Sequence, residues 1–347
     1  MNNSDSLLIR AAFKQPVERT PIWVMRQAGR YLPEYLAVRA KAGSFLDLCM
    51  NPELAAEVSI QPLDLMEVDA VIMFSDILTP LMGMGIDLDF KPGPQIHNPV
   101  QSLQDIEKLI IPDPSVSTAY VGEILGRIRK RVAGRAPVIG FAGAPFTLAC
   151  YLVKDEQSKL FANLTTLFFN DSQTARLLMS KLTRMTIDYL NYQIENGAQM
   201  VQLFDTWAGI LNPSDYKEYI FPYVSEIFAS LNKRGEVPVV YYINGGNHLL
   251  ELMSQTGADV ISLDWKTDIG EAKRLIGKKV ALQGNLNPSI LFCRPDVISK
   301  KAEEIIQSYN GDTGHIFNLG HGIDKAVNPQ NLLHLVRTVK ELTTRDP

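Results

Sequence analysis

Eight short apolar runs recur along the chain, each followed by a loop rich in Gly, Asn, Pro or Asp and then by a stretch of helical spacing. They are residues 21–27 (PIWVMRQ), 70–76 (AVIMFSD), 137–142 (PVIGFA), 200–206 (MVQLFDT), 238–244 (PVVYYIN), 260–265 (VISLDW), 280–285 (VALQGN) and 315–321 (HIFNLGH). Each has the length and apolar continuity of a strand buried on both faces. Between the third and fourth runs, Leu178, Leu182, Met185, Tyr189 and Ile194 follow a helical apolar stripe. Pro213 and Pro329 stand where helices can begin, since a proline in the first turn sacrifices no helical hydrogen bond. Strands alternating with helices predict a parallel sheet. Eight such units predict a closed TIM (β/α)₈ barrel. The rival is an open doubly wound sheet, but no GxGxxG follows the first run, which removes the usual reason to prefer it. One segment breaks the alternation. Residues 86–97 (IDLDFKPGPQIH) alternate apolar and polar positions around Lys91-Pro92-Gly93-Pro94, which predicts a small β-hairpin inserted after the second strand. No linker, repeat or low-complexity segment divides the chain, so residues 1–347 are expected to form one domain.

Composition narrows the partners. With 46% hydrophobic residues in 347, the chain can fill a large core. The formal net charge of −4 makes it a poor nucleic-acid binder, which needs a basic face to neutralise phosphates, although an acidic protein can still hold a local arginine cluster. Cys49, Cys150 and Cys293 are odd in number and widely spaced, without a CxxC, which argues against a disulfide framework and a cysteine zinc site and points to a reducing compartment. Residues 1–6 (MNNSDS) carry no positive charge and no long apolar segment follows; no stretch approaches a membrane span. These features predict a soluble, cytoplasmic protein.

In a TIM barrel the chemistry sits at the C-terminal ends of the strands. There the chain places Arg26-Gln27-Ala28-Gly29-Arg30 after the first run, Ser75-Asp76 at the second, Asp205-Thr206-Trp207 at the fourth and Gly320-His321-Gly322 at the eighth, with Tyr151 on the helical segment after the third. A lone arginine after a strand is usually a solvated surface residue. Two of them four residues apart at a barrel mouth suit anion binding, because the guanidinium fork takes carboxylates bidentately. Asp76 can be read as a cap for the next helix or as a site carboxylate. His321 lies between two glycines, where backbone can approach a ligand closely. Tyr151 and Thr206 gain interest only from sharing that face of the barrel. The five histidines, His97, His248, His315, His321 and His334, show no HExxH or His/Cys ligand spacing, so no metal site is expected. There is no GxSxG elbow. Lys266, after the sixth run, has the chemistry for a Schiff base, but a surface lysine is the simpler reading.

Taken together, the segments PIWVMRQAGRYLPEY, MFSDILTP, GFAGAPFTLACYLV, QLFDTWAG, ALQGNLNP and NLGHGI resemble the uroporphyrinogen decarboxylase family, over nearly the whole chain. That resemblance implies a (β/α)₈ barrel with a deep cleft, which converts the four acetate arms of uroporphyrinogen III to methyls, giving coproporphyrinogen III for haem synthesis. It implies no cofactor or metal, and homodimers whose clefts face each other. It assigns the substrate site to Arg26, Gln27, Ala28, Gly29, Arg30, Asp76, Tyr151, Thr206 and His321. The chain departs from the family pattern at Phe146, at Lys154-Asp155-Glu156-Gln157, at Asn287 and at Asp324-Lys325-Ala326-Val327. Losing CO₂ from an acetate arm requires an electron sink, which a pyrrole becomes once its ring carbon is protonated. Asp76 suits the stabilisation of that cationic ring by accepting pyrrole N–H bonds, and Arg26 and Arg30 suit the substrate's carboxylates. The proton donor stays open. The alternatives are a cobamide- or thiol-dependent methyltransferase on the same barrel, whose zinc ligands are missing from Tyr242-Ile243-Asn244-Gly245, and a non-catalytic tetrapyrrole binder.

Overall fold

The computed structural model describes residues 6–91, 93–153, 161–311 and 313–345. Its strands are β1 (Val71–Ile72), β2 (Leu88–Phe90), β3 (Pro94–Ile96), β4 (Val138–Gly143), β5 (Met200–Asp205), β6 (Val239–Ile243), β7 (Val260–Ser262), β8 (Ala281–Gln283) and β9 (His315–Ile316). Seven of them form one parallel sheet in the order β1-β4-β5-β6-β7-β8-β9, each strand hydrogen-bonded to the next in the chain. Helices separate successive strands, the arrangement that parallel pairing demands of its crossovers. The fold is therefore an α/β fold with a curled parallel sheet, TIM-barrel-like in architecture. The antiparallel pair β2–β3, in register Leu88↔Ile96 and Phe90↔Pro94, forms a separate two-stranded sheet within the segment of alternating polarity. The Lys154–Gln157 departure and Pro92 lie outside the described residues.

Seven of the eight apolar runs supply strands of this sheet, with ladders shorter than the runs. The first run is reduced to a parallel bridge, Ile22↔Phe317. The reason is local. Trp23 N–H still donates to Phe317 O at 3.3 Å, but the two amides after it bond side chains instead of a neighbouring strand: Val24 N–H donates to Gln27 Oε1 at 3.1 Å and Met25 N–H to Asn318 Oδ1 at 2.9 Å. In the second run Phe74 N–H donates to Ser59 Oγ at 2.8 Å, which ends the ladder after Ile72. Each diverted amide is still satisfied, as burial requires. Beside β9 the run also accepts the Phe317 N–H on Pro21 O, and it touches the opposite edge of the sheet where Asp69 N–H donates to Ile22 O, both at 2.8 Å.

Two apolar layers hold this together. Side chains on the outer face of the sheet pack against the helices, including the 24-residue helix Ser172–Glu195, whose Leu178, Leu182, Met185, Tyr189 and Ile194 are all buried. Pro213 and Pro329 do open helices, Pro213–Tyr219 and Pro329–Thr343, each behind an asparagine cap. The inner layer contains Trp23, Met25, Met200, Val240, Tyr242 and Ile316. The short helix Leu7–Ala12 closes this layer at the N-terminal ends of the strands, burying Leu8, Ile9, Ala11 and Ala12. Lys14 fixes the exit of that helix by donating to the carbonyls of Gly277 and Lys278 at 2.7 and 2.8 Å. With one end plugged, the C-terminal ends of the strands are left as the open face.

Candidate active site

Between the apolar inner layer and the open face lies a buried polar layer. Trp23 Nε1 donates to Gln283 Oε1 at 2.8 Å, and Gln283 Nε2 donates to Gln202 Oε1 at 3.1 Å and to Ser262 Oγ at 2.9 Å. All four residues are fully buried. Because each amide has its partners, the layer costs little to bury and gives the groups above it a rigid base. Gln27 belongs to this support too. It is fully buried, and its Nε2 donates to Ala70 O at 2.8 Å while its own carbonyl accepts the Tyr31 hydroxyl at 2.9 Å. This side chain fixes the loop.

Above the polar layer the structure gathers Arg26, Asp76, Tyr151 and His321. Arg26 has a left-handed backbone, φ +63°, which turns the chain sharply out of the first run. An unforced arginine avoids this conformation, so the surrounding bonds to Val24, Met25 and Gln27 must hold it. The Arg26 charge is felt at all three partners. Burial raises the Asp76 carboxyl above its ordinary range, and the Leu78 N–H and the Arg26 guanidinium partly offset this. Burial, with Arg26 next, lowers the His321 imidazole, so this ring is neutral near pH 7. Burial raises the Tyr151 phenol, with the Asp76 charge adding to the rise and Arg26 opposing it. Asp76 also performs the helix-starting role open to it from sequence. Its Oδ1 accepts the Leu78 N–H at 2.9 Å just before helix Thr79–Gly83. Its Oδ2 has no hydrogen-bond partner among the described residues.

The two glycines around His321 have a use other than close approach of a ligand. A methyl group at Gly320 would meet the Trp265 amide nitrogen at 2.2 Å, and Gly320 O accepts the Tyr242 hydroxyl at 3.0 Å. A methyl group at Gly322 would meet Arg26 Cδ at 2.3 Å and Cγ at 2.7 Å. The first glycine lets two strand ends touch; the second leaves the lane in which the Arg26 side chain lies. His321 stands edge-on to Trp265, with ring centroids 6.0 Å apart.

The other expected site residues are arranged less tightly. Ala28 and Gly29 are half-buried in the same loop. Arg30 is exposed; its charge registers at Tyr35, whereas the shifts of Asp76, Tyr151 and His321 name Arg26. Thr206, half-buried, comes one residue after β5 and continues the parity of Met200, Gln202 and Phe204, which belong to the inner side.

Its neighbour Asp205 faces the opposite way. Fully buried against the helices, it accepts the Thr147 hydroxyl on Oδ1 at 2.7 Å and the Tyr241 hydroxyl on Oδ2 at 3.0 Å, and Tyr216 donates to Tyr241 at 3.1 Å. Thr147 Oγ1 also accepts the Trp207 N–H at 3.1 Å. This clasp ties helix Pro145–Leu152, which carries Tyr151, to the end of β5, which carries Thr206 and Trp207. Tyr151 meets Trp207 edge-on at 6.4 Å. Parity along residues 200–206 separates Asp205 from Thr206, but partners of 36 and 58 residues' separation leave no local trace in sequence. Burial pushes the Asp205 carboxyl up to about 6. A folded-state value above the unfolded one means the fold prefers the protonated acid. This stability is present below about pH 4 and is lost as pH rises to about 6, by at most ~3 kcal/mol. Asp205→Asn is therefore expected to gain Tm relative to the parent between pH 4.5 and 7. Thermal melts across that range check it, and a constant Tm difference would refute the assignment.

A cavity of about 250 Å³ opens beside this cluster, lined by Asn244, Trp265, Asn287, Ser289, Phe292 and His321 among others. Asn287 caps the turn Pro288–Phe292 by accepting the Ser289 N–H at 2.9 Å. Phe146, another departure from the expected pattern, is fully buried and packs near Phe168.

A curled parallel sheet, plugged below and carrying arginine, carboxylate, tyrosine and histidine at its open strand ends, defines an α/β-barrel-like enzyme scaffold with an anion-receptive mouth. A family model described as uroporphyrinogen decarboxylase (URO-D) matches residues 3–342. Proteins named uroporphyrinogen decarboxylase from Geobacter sulfurreducens and Hydrogenovibrio crunogenus are 47% and 46% identical, the first over 99% of this chain and all of its own length, the second over 97% of each. The chain belongs to the uroporphyrinogen decarboxylase family. Among solved structures, a methyltransferase from Methanosarcina mazei superposes with a TM-score of 0.83 over 96% of this chain and 97% of that one, at 21% identity, a likeness of fold alone.

Proposed function

We propose that this protein is a cofactor-independent carboxy-lyase that converts the four acetate arms of uroporphyrinogen III to methyls, releasing four CO₂ and giving coproporphyrinogen III in porphyrin and haem biosynthesis. The observation that carries this reading is the Asp76 carboxyl, held by one oxygen at the open face beside Arg26 with its other oxygen free among the described residues. Protonation of a pyrrole ring carbon makes the ring cationic. The bond from the acetate methylene to its carboxylate then breaks, and its electron pair flows into the ring. A second proton completes the methyl, and the ring carbon then gives up the first, which restores the neutral pyrrole with one net proton consumed per arm. Asp76 at the centre of the macrocycle accepts pyrrole N–H bonds. These donors favour its anion and oppose the upward push of burial. As positive charge builds on the ring the pairing strengthens, so it acts on the transition state more than on the bound substrate. Arg26 grips a carboxylate with its fork. Arg30, also exposed, holds another at the rim. Neutral His321 and Tyr151 donate to carboxylates as uncharged groups, Thr206 adds a hydroxyl from β5, and the loop backbone of Gln27, Ala28 and Gly29 lines the approach.

In this reading the first run serves as the eighth strand, its contacts to Asp69 and Phe317 closing a (β/α)₈ barrel, with β2–β3 a hairpin inserted after the second strand. The chain is one domain, acting in the cytoplasm as a homodimer without nucleic-acid or membrane partners. The net charge of −4 supports the first exclusion, and no helix among the described residues is long and apolar enough to cross a membrane. The methyltransferase alternative draws on fold alone, and among the described residues no three His, Cys, Asp or Glu side chains gather as a metal's donor set. Incubating the purified protein with uroporphyrinogen under anaerobic conditions is expected to yield the hepta-, hexa-, penta- and tetracarboxylic porphyrins in sequence, separated by chromatography after oxidation. Unchanged octacarboxylic material would sink the proposal.

A further inference from the structure

The cavity of about 250 Å³ that His321 and Gly322 line has the features of a carboxylate pocket. Phe292 and Pro288 give it an apolar wall, Phe292 being half-exposed. Trp265 and His321 give an aromatic one. Asn244 Oδ1 is a buried polar atom that lines it with no hydrogen-bond partner among the described residues. A half-turn of that amide exchanges its oxygen for its N–H₂ donor in the same space. Lys266 extends from the end of β7 with its ammonium 5.1 Å from the Trp265 ring centroid. It is exposed, and among the described residues it makes no ion pair. It is not itself a lining residue; it lies over the ring of Trp265, which forms one wall of the cavity. Asp324 also lines the cavity; its Oδ1 accepts the Ala326 N–H at 2.8 Å, and the side chain is exposed, so its charge opposes the ligand's only through solvent. An apolar wall and an amide in the lining, with an ammonium over the Trp265 wall, match a short alkyl chain ending in a carboxylate.

We propose that this cavity receives one carboxylate arm of the tetrapyrrole and that Lys266 is a substrate-positioning residue which holds the arm's carboxylate. The proposal rests on the decarboxylase reading. Both acetate and propionate arms offer the required chemistry, and the assay separates them. Because Lys266 is exposed, its contribution is that of a screened ion pair. Lys266→Met is expected to raise KM about two- to fivefold near 0.1 M salt, with kcat within twofold. Lys266→Arg should restore KM, and added salt should shrink the difference. A rise of equal size for the octacarboxylic and pentacarboxylic substrates assigns a propionate; a rise for the octacarboxylic one alone assigns an acetate. Unchanged KM for both substrates overturns the proposal, as does a fall in kcat without a change in KM. If the parent protein itself turns over neither substrate, the decarboxylase reading fails. Fluorescence titration with the oxidised octacarboxylic porphyrin then decides the pocket separately: weaker binding to Lys266→Met upholds it, equal binding overturns it.

Discussion

Replacing Asp76 with asparagine is expected to cut kcat by about 10²–10³-fold, the loss typical of removing one preorganised electrostatic group from a transition state, while KM changes far less. The substitution preserves shape. Asparagine Oδ1 can still accept the Leu78 N–H that begins helix Thr79–Gly83, so the local turn survives. What changes is the second polar atom, which becomes an N–H₂ facing pyrrole N–H groups: donor against donor, with no negative charge to balance the protonated ring. The stability readout should move in the opposite direction from activity. Burial raises the Asp76 carboxyl, so the folded protein bears a cost for its anion. That cost is absent below the ordinary carboxylate range and grows as pH rises through it. The neutral amide never incurs it, so Asp76→Asn should melt no lower than the parent at pH 7 while its single-turnover rate collapses. A variant that decarboxylates within threefold of the parent removes Asp76 from the mechanism. A variant that is inactive because its Tm has fallen by many degrees shows instead that the helix-starting role dominates.

What sequence could show, and what it could not, divides by the range of the interactions. Strand positions were legible because burial on both faces writes continuous apolar runs, and helix starts because proline and asparagine act within a turn. Hence Pro213 and Pro329 open helices as expected. Ladder lengths were not legible, because Gln27, Ser59 and Asn318 take amides that the run pattern assigns to neighbouring strands. The plug Leu7–Ala12 carries an apolar pattern too short to distinguish from any surface helix. At the site, the strand-end rule selected Arg26, Asp76, Tyr151 and His321, and the structure brings these four together electrostatically. It gives the Gln27 side chain a buried supporting role and leaves Arg26 and Arg30 both exposed. The Asp205 clasp, and the free ammonium of Lys266 beside a cavity, depend on partners distant in the chain, which no local spacing reveals.

Gly322→Ala tests whether the position of Arg26, and not merely its charge, matters. The added methyl would sit 2.3 Å from Arg26 Cδ, well inside contact distance. The arginine is an exposed, flexible chain, so it can swing aside at little cost to the fold, and Tm should shift by no more than a few degrees. It cannot swing aside and keep its place above Asp76 and His321. Losing a charge-assisted hydrogen bond costs ~1.5–3 kcal/mol, so kcat/KM is expected to fall by roughly one to two orders of magnitude. Since the alanine acts only by displacing Arg26, its effect should vanish once that side chain is gone. Arg26→Ala and the double variant Arg26→Ala/Gly322→Ala should then have the same kcat/KM, a coupling energy equal to the whole effect of the glycine substitution. Additive losses in the double variant would mean that Gly322 serves the backbone at His321 instead, and that Arg26 owes its position to the loop of residues 24–27 alone.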